Sequence, residues 1–492
     1  MEINWKKEVE IRKTELLEDL FTLLRIDSVR DDSKITPDAP VGPGPKEALE
    51  AFLAIGERDG FITKNVGNLA GHIEFGEGEE LMGVFGHVDV VPTGTGWDTD
   101  PFVPVIIDDR IYARGSSDDK GPTMAAYYAL KIIRDLKLPI SKKVRVIIGT
   151  DEESGWKCMD HYLENERIPD FGFSPDAEFP IINGEKGMQT FMVQFRGDNK
   201  GGKNELLSFD AGLRENMVPQ DATAVFISPE ADKIEQAFAA FLENNPVKGT
   251  ISVAGEQVTI ELIGKAAHGM NPAAGVNAGT YLATFLNKFN FGGQAATFLE
   301  LIADRIHLQH DAQKLNLAYT DSVMGELTMN AGIFTFTPST GGELALNFRY
   351  PQGVSEEGIE IKLEAALATY GVTIAKGGHG KLPHYVPADD PLVKTLLAVY
   401  EKHTGLKGHE QSIGGGTYGR LLERGVAYGA MFPDSIDTMH QANEFIALDD
   451  LFRATAIYAD AMYELLKYVD FSTFQLFLKM KRKAFESTFS IY

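Results

Sequence analysis

The sequence has little cysteine, too few basic residues to balance its acids, and no long apolar run. Cys158 is the single cysteine among 492 residues, which excludes an intramolecular disulfide and a zinc site built on several thiolates. The 47 basic residues against 71 acidic ones give a net charge of −24, which argues against binding to nucleic acid or to anionic membranes. No stretch reaches the ~18 apolar residues of a membrane-spanning helix. The start, Met1–Lys7, is polar and does not read as a secretory signal, so we expect a cytoplasmic protein.

The pattern of apolar residues divides the chain into parts. Up to about residue 186, short apolar runs alternate with helical patterns, which predicts parallel βαβ units. Polar and apolar residues then nearly alternate, which is typical of antiparallel sheets, until helix and strand patterns return after Pro383. We therefore predict an α/β catalytic domain (1–186 and 383–470) with a mixed, mainly parallel sheet flanked by helices. An α+β lid with an antiparallel sheet (187–382) interrupts it, and a basic, Phe-rich tail of unknown role (471–492) follows.

Acids and histidines follow several of the predicted strands. Ligands of open α/β sheets bind at the carboxyl ends of strands, so these residues are candidates for one site. The first segment is His87-Val88-Asp89, in which both polar side chains project to the same side of a strand. The others are Asp118-Asp119-Lys120-Gly121, Asp151-Glu152-Glu153, Ser174-Pro175-Asp176 and Met439-His440.

Three consecutive acids at the end of a buried strand need a positive charge beside them, and metal ions would supply it. Two histidines with several carboxylates and no thiolate suit zinc, and also manganese or cobalt. Taken singly, each segment also fits an ordinary cap or an exposed turn. The sequence contains no H-E-x-x-H, G-x-S-x-G or phosphate-binding loop, and acids around Cys158 indicate a structural thiol rather than a nucleophile.

Taken in order, these motifs resemble the metallopeptidase family of co-catalytic di-zinc aminoacylases, carboxypeptidases and dipeptidases. Within it, Asn216-Met217-Val218-Pro219, Lys265-Ala266-Ala267-His268-Gly269 and Arg349 are similar to the bacterial β-Ala-Xaa, carnosinase-like dipeptidases. The resemblance spans about residues 10–468 and leaves the tail without a counterpart. It implies a catalytic domain with two Zn²⁺ per chain, with Mn²⁺ or Co²⁺ as alternatives.

The resemblance also implies a role for each residue. Asp119 would bridge the two metals, with His87 and Asp176 on one of them and Glu153 and His440 on the other. Asp89 would orient His87, and Glu152 would be the general base. In the lid, His268 would stabilise the oxyanion, and Arg349 and Asn216 would hold the substrate carboxylate. Substrate backbone would lie along a loop of Gly414, Gly415, Gly416 and Thr417.

These roles lead us to expect a dipeptidase that hydrolyses unblocked dipeptides. The motifs fit equally an N-acyl amino-acid deacylase of the acetylornithine or succinyl-diaminopimelate type, because both reactions cleave an amide beside a carboxylate. A non-catalytic binding protein on the same fold is a weaker alternative, because every expected catalytic residue is present. The long insertion would supply a second lid lobe within one chain, so we expect a monomer.

Overall fold

The structure is a computed structural model that describes residues 3–467, so the predicted tail 471–492 lies outside the described residues. Between residues 3 and 467 the chain forms ten α-helices. They are α1 (Trp5–Leu24), α2 (Pro43–Arg58), α3 (Lys120–Asp135), α4 (Lys157–Asn165), α5 (Ala231–Glu243), α6 (Ala278–Leu286), α7 (Gly293–Leu301), α8 (Glu356–Leu367), α9 (Pro391–Thr404) and α10 (Leu448–Leu466).

The strands are short in the first third of the chain and longest in its middle. In chain order they are β1 (Ile62–Val66), β2 (Ala70–Phe75), β3 (Leu81–His87), β4 (Val105–Ile107), β5 (Arg110–Tyr112), β6 (Lys143–Gly149), β7 (Phe171–Ser174), β8 (Ala177–Glu178), β9 (Gly184–Glu185), β10 (Gly187–Phe195), β11 (Glu205–Ala211), β12 (Asp221–Ile227), β13 (Lys248–Ala254), β14 (Gln257–Ile263), β15 (Thr320–Asp321), β16 (Gly325–Glu326), β17 (Thr328–Thr337), β18 (Gly341–Tyr350), β19 (Thr373–Lys381), β20 (His384–Tyr385), β21 (Ser412–Ile413), β22 (Gly425–Ala427), β23 (Ala430–Met431) and β24 (Phe445–Ala447).

The described residues divide into two compact units. The first takes residues up to Asn183, Val386–Glu410 and those from Thr417 onward, and the second takes Gly184–Tyr385 and Gln411–Gly416. The segment 411–416, which the sequence places with the catalytic domain, packs with the second unit instead. The reason is a backbone pairing, because β21 lies parallel to β9 within that unit. No helix within residues 3–467 has both the length and the apolar character needed to cross a bilayer.

The first unit contains a six-stranded sheet in the order β1-β2-β6-β3-β7-β22. The neighbours β6-β3-β7-β22 are parallel, whereas β1 and β2 add antiparallel strands at one edge. Met82 and Val84 pack into the large core that α1, α2, α3 and α10 cover. Phe85 and Ile147 point to the other face, where they meet Cys158, Met159 and Tyr162 of α4. Helices therefore cover both faces, which confirms the predicted mixed sheet flanked by helices.

The second unit contains an antiparallel sheet of eight strands in the order β13-β14-β12-β11-β17-β18-β10-β19. Its middle pair, β11 and β17, joins two four-stranded halves. In the first half α5 follows the second strand of the β11-β12 pair, and in the second half α8 follows the second strand of the β17-β18 pair. Alternating side chains on these strands pack with α5–α8 into a separate apolar core. The antiparallel α+β character predicted for the insertion is confirmed.

Candidate metal centre and active site

Two groups of histidine and carboxylate side chains share one aspartate at the carboxyl end of the sheet of the first unit. His87, Asp118 and Asp176 form one group, and Asp118, Glu153 and His440 form the other. Within each group the candidate ligand atoms all lie within 4.8 Å of one another. The shared residue spans the two histidines, with its Oδ1 3.1 Å from His87 Nε2 and its Oδ2 2.9 Å from His440 Nε2.

Strand topology explains why residues so distant in sequence meet. His87 ends β3, Glu153 follows β6 and Asp176 follows β7, and these three strands are parallel neighbours. Their carboxyl ends consequently open on one edge, where ligands of α/β sheets bind. Asp118 enters from the loop before α3, and His440 comes from the loop between β23 and β24.

His87 is fully buried and held from both sides. Its Nδ1 lies 3.0 Å from the backbone oxygen of Asp89 and 3.5 Å from the Asp89 carboxylate, so it donates in that direction. Its Nε2 then faces Asp118 at 3.1 Å and Asp176 at 3.6 Å. An imidazole whose second nitrogen is fixed in this way is a well-oriented metal ligand. Asp89 also accepts a hydrogen bond from the Glu153 N–H at 3.2 Å, so the geometry supports the predicted orienting role of Asp89.

Asp119, predicted as the bridging residue, does not face the two groups, and Asp118 stands in its place. Asp119 turns toward the core, where its Oδ2 accepts hydrogen bonds from the Thr123 hydroxyl at 2.7 Å and from the His87 N–H at 3.2 Å. The physical reason is that adjacent side chains on a non-helical segment project in opposite directions. Only one of the two carboxylates can therefore point between the histidines.

The charge balance of this site is strongly negative. Burial, together with the Asp176 carboxylate, holds the pKa of Glu152 well above its usual range. Burial, followed by the nearby Asp118, raises the pKa of Glu153 to about 7. Hydrogen bonds to Asp118 and Glu153 raise the pKa of His440 to about 11. Buried carboxylates that repel one another in this way favour a bound cation.

The donor atoms suit the metals that the sequence suggests. Imidazole nitrogens and carboxylate oxygens, without thiolates, match zinc and also manganese or cobalt. The Oδ1 atoms of Asp89 and Asp119 are buried without a hydrogen-bond partner in the part of the chain described, which adds to the excess of acceptors around the site. A third acidic group, Glu15, Asp19 and Asp59, differs because each of its acids already forms an ion pair of 2.6–2.9 Å with Arg58 or Lys131.

Glu152 lies beside these residues and is half-buried. Its carboxylate accepts no hydrogen bond from another residue within 3–467, in contrast to Glu153, whose Oε1 lies 3.1 Å from His440 Nε2. The two neighbouring glutamates consequently have different surroundings, as the sequence predicts for one ligand and one base.

The second unit places Asn216 and His268 on two adjoining loops. Met217 and His268 form an antiparallel bridge, and the Gly269 N–H donates to the backbone oxygen of Asn216 at 2.7 Å. His268 Nδ1 accepts a hydrogen bond from the Met270 N–H at 3.1 Å. Asn330, which the sequence analysis missed, supports this pair from below. Its side-chain amide donates to the backbone oxygens of Glu215 and Met217 at 2.9 and 2.8 Å.

Arg349 is buried on β18 of the same unit and is engaged by its own neighbours. Its Nη1 donates to the Gly414 oxygen at 2.8 Å and also contacts the Met188 sulfur, and its Nε donates to Asn347 at 3.1 Å. A Cβ on Gly414 would lie 2.8 Å from Met270 Cβ, so this glycine permits a close approach of two loops. Gly415 and Gly416 continue the same segment, half-buried.

Thr417 belongs to the first unit, unlike the glycines before it. Its hydroxyl accepts a hydrogen bond from the Gly419 N–H at 3.0 Å and caps a short helical turn. Nearby, the thiol of Cys158 contacts the Tyr418 hydroxyl at 3.1 Å. Burial raises the pKa of Cys158 to about 12, which agrees with the prediction that this thiol is structural rather than nucleophilic.

A mixed α/β sheet with histidines and carboxylates gathered at its strand ends is an architecture suited to metal-assisted hydrolysis. Residues 83–464 match "Peptidase family M20/M25/M40", so the chain belongs to this family and is a peptide-bond hydrolase. A protein of Staphylococcus epidermidis named "Putative dipeptidase" is 45% identical over 465 residues, which cover 94% of this chain and 99% of the relative.

Solved structures share the fold. Human carnosine dipeptidase 1 superposes with a TM-score of 0.55 at 15% identity, covering 94% of this chain and 98% of that one. Aminoacylhistidine dipeptidase from Vibrio alginolyticus superposes with a TM-score of 0.56 at 15% identity, covering 92% and 97%. The family match and the 45% identical relative confirm the resemblance to the metallopeptidase family that the short motifs indicated.

Proposed function

We propose that this chain is a di-zinc dipeptidase that hydrolyses the amide bond of unblocked dipeptides. The observation that carries the proposal is the position of Asp118 between His87 and His440, which gives two ligand groups with one shared carboxylate. His87, Asp118 and Asp176 would hold one cation, and Asp118, Glu153 and His440 the other. When bound, the two cations supply water activation and polarisation of the scissile carbonyl.

Glu152 is the general base in this proposal. It takes a proton from the attacking water and returns that proton to the amine that leaves. The raised pKa that burial and Asp176 impose is consistent with a carboxyl group that both accepts and returns a proton. Asp89 holds His87 in one tautomer and one orientation throughout.

Residues of the second unit would recognise the substrate. Arg349 and Asn216 would bind its C-terminal carboxylate, His268 would donate to the developing oxyanion, and the segment Gly414–Gly416 would run along its backbone. The contact between Arg349 and the Gly414 oxygen supports this assignment, because it brings two of these predicted elements together. The pairing of two half-sheets within one chain supports a monomer.

A direct comparison of substrates tests the proposal. The protein is loaded with Zn²⁺, Mn²⁺ or Co²⁺, and kcat/KM is measured for dipeptides, for tripeptides and for N-acetyl amino acids with matched side chains. We expect unblocked dipeptides to be hydrolysed fastest, with activity lost on chelation and restored by added metal. Faster hydrolysis of the N-acyl amino acids would instead support the deacylase hypothesis. Full activity after exhaustive chelation would contradict a metal-dependent mechanism.

A further inference from the structure

Glu444 is a buried carboxylate that receives four hydrogen bonds. Its Oε2 accepts from Arg114 Nη1 at 2.7 Å and from the Gly115 N–H at 3.1 Å. Its Oε1 accepts from the N–H groups of Ser117 and Asp118 at 2.8 and 3.1 Å. Three of the four donors are backbone amides of the loop that carries Asp118. The carboxylate therefore balances the charge of Arg114 and also holds the backbone of this loop in place.

The same residue lies four positions after His440, at the end of the loop that carries this histidine. The Ala113 N–H donates to the Glu444 backbone oxygen at 3.2 Å. The Phe445 N–H donates to the Thr438 hydroxyl at 3.1 Å and closes the loop around His440. Glu444 is thus anchored in the His440 loop by its backbone and in the Asp118 loop by its side chain.

The two ligand groups depend on this link to different degrees. His87 is fully buried and is oriented by Asp89, so its position is fixed without Glu444. The His440 side chain, in contrast, is 55% exposed, and its contacts at the site are with Asp118 and Glu153 themselves. The distance between His440 and Asp118 consequently depends on the hydrogen bonds by which Glu444 connects the two loops.

We propose that Glu444 is a positioning residue that sets the distance between Asp118 and His440, and through it the affinity of one of the two cation sites. The inference rests on the proposed two-metal function. A glutamine at this position has one acceptor oxygen and one donor group, so two of the four N–H donors would face an N–H instead of an oxygen. We expect the Asp118–Glu153–His440 site to weaken by about 10- to 100-fold. The His87–Asp118–Asp176 site shares Asp118 but keeps His87 and Asp176 in place, so it should weaken by much less.

The test titrates metal-free protein with Co²⁺ and follows binding by calorimetry and by the visible absorption of the bound ion, without any activity assay. Glu444→Gln is compared with the wild type and with Asp460→Asn. Asp460 is a matched control, because it is equally buried and paired, with Lys402 and His403 at 2.7 and 2.8 Å, and has no contact with the ligand groups. Thermal unfolding of the three metal-free proteins is measured in parallel.

The expected result is two Co²⁺ equivalents for the wild type and for Asp460→Asn, and one tight and one weakened equivalent for Glu444→Gln. Wild-type affinities at both sites in Glu444→Gln, or weakening of both sites by the same factor, would overturn the positioning role. Should Glu444→Gln not fold, Glu444→Asp keeps the charge and shortens the reach, and the same selective loss is expected of it. A wild type that does not bind two ions would instead contradict the proposed function, so the two failures are distinguishable.

Discussion

The candidate residues of the two units are built in opposite ways. In the first unit, charged side chains converge on one another and, apart from the exposed His440, are mostly buried. They are separated by 2.9–3.6 Å across the two ligand groups. In the second unit, Asn216 and His268 are exposed, and backbone hydrogen bonds between their loops hold them. Arg349 is the exception there, because it is buried on a strand.

This difference predicts which unit serves metal binding and which serves the choice of substrate. A cluster of like charges raises the free energy of the folded protein unless an ion or a proton compensates it. The carboxylates of the first unit therefore favour the binding of cations. Neutral or exposed groups carry no such cost and suit recognition of a substrate that comes and goes. Changes in the first unit should therefore affect metal binding and the rate of the chemical step, whereas changes in the second should affect the choice of substrate.

The largest effect is expected for Asp118→Asn, because this carboxylate belongs to both ligand groups. We expect kcat to fall about 10³-fold or more and the binding of both metal ions to weaken. Asp119→Asn is the matched control, since its Oδ2 accepts hydrogen bonds from Thr123 and His87, which an amide oxygen can still accept. Metal content and kcat are measured for both variants. If Asp119→Asn lost metal and activity while Asp118→Asn kept both, Asp119 would be the bridging residue, as the sequence predicts.

Glu152→Gln separates chemistry from metal binding within the first unit. Removal of a general base lowers kcat by about 10²- to 10⁴-fold, while the metal content stays at that of the wild type. Glu153→Gln, one residue away, should lower the metal content instead, because Glu153 contacts His440 at 3.1 Å. Metal analysis beside steady-state kinetics distinguishes the two variants, and near-normal turnover of fully loaded Glu152→Gln would exclude the assigned base.

Arg349→Met tests the role of the second unit in substrate choice. We expect kcat/KM for free-carboxylate dipeptides to fall about 10- to 100-fold, the loss of a charged hydrogen-bonded contact, and to fall much less for the C-terminal amides. Arg349→Lys keeps the charge but not the planar fork, so an intermediate loss is expected. Equal losses on acids and amides would show that the residue supports the fold through Gly414 and Asn347 rather than binding the carboxylate.

A smaller effect concerns stability in acid, and each unit has its own probe. Burial lowers the pKa of His72 in the first unit and of His307 in the second to about 4. Between pH 6.5 and 4 these histidines are protonated in the unfolded chain but stay neutral in the folded one. The free energy of unfolding therefore decreases as the pH falls. The slope is at most about 1.4 kcal/mol per pH unit for each, and less for half-buried His307.

Substitution by glutamine should flatten this pH dependence in one unit at a time. The three tryptophans, Trp5, Trp97 and Trp156, all belong to the first unit, so their fluorescence reports its unfolding. His72→Gln should flatten the pH dependence of the urea transition seen by fluorescence. His307→Gln should change only the transition seen by far-UV circular dichroism. An unchanged slope in both variants would mean that other groups dominate the acid response.

Most of the architecture could be predicted from local patterns. The alternation of apolar residues predicted the mixed and the antiparallel sheets, because burial on one or two faces leaves a direct mark on a strand. The strand-end motifs predicted which segments meet, because the carboxyl ends of parallel strands share one edge. Sheet order and the membership of residues 411–416 could not be predicted in this way, since both depend on pairing between distant segments.

The errors and omissions at the site have a common cause. The choice between Asp118 and Asp119 depends on the direction of one side chain in a loop, which the motif does not encode. Glu444 lies in the same short segment as His440, but its role depends on the amides of a loop more than 300 residues earlier. Asn330 likewise acts on the backbone of a distant loop, and a backbone contact carries no residue-type signal.

The order in which the chain leaves the ribosome gives the placement of β22 and His440 a further consequence. The strands β1, β2, β3, β6 and β7, with His87, Asp118, Glu153 and Asp176, are all synthesised before the second unit begins. The second partner strand of β7, β22, and the last candidate ligand, His440, emerge only after that unit is complete. A nascent chain thus presents an unpaired sheet edge beside an incomplete acidic cluster, and chaperones are expected to engage this species until β22 and His440 have left the ribosome.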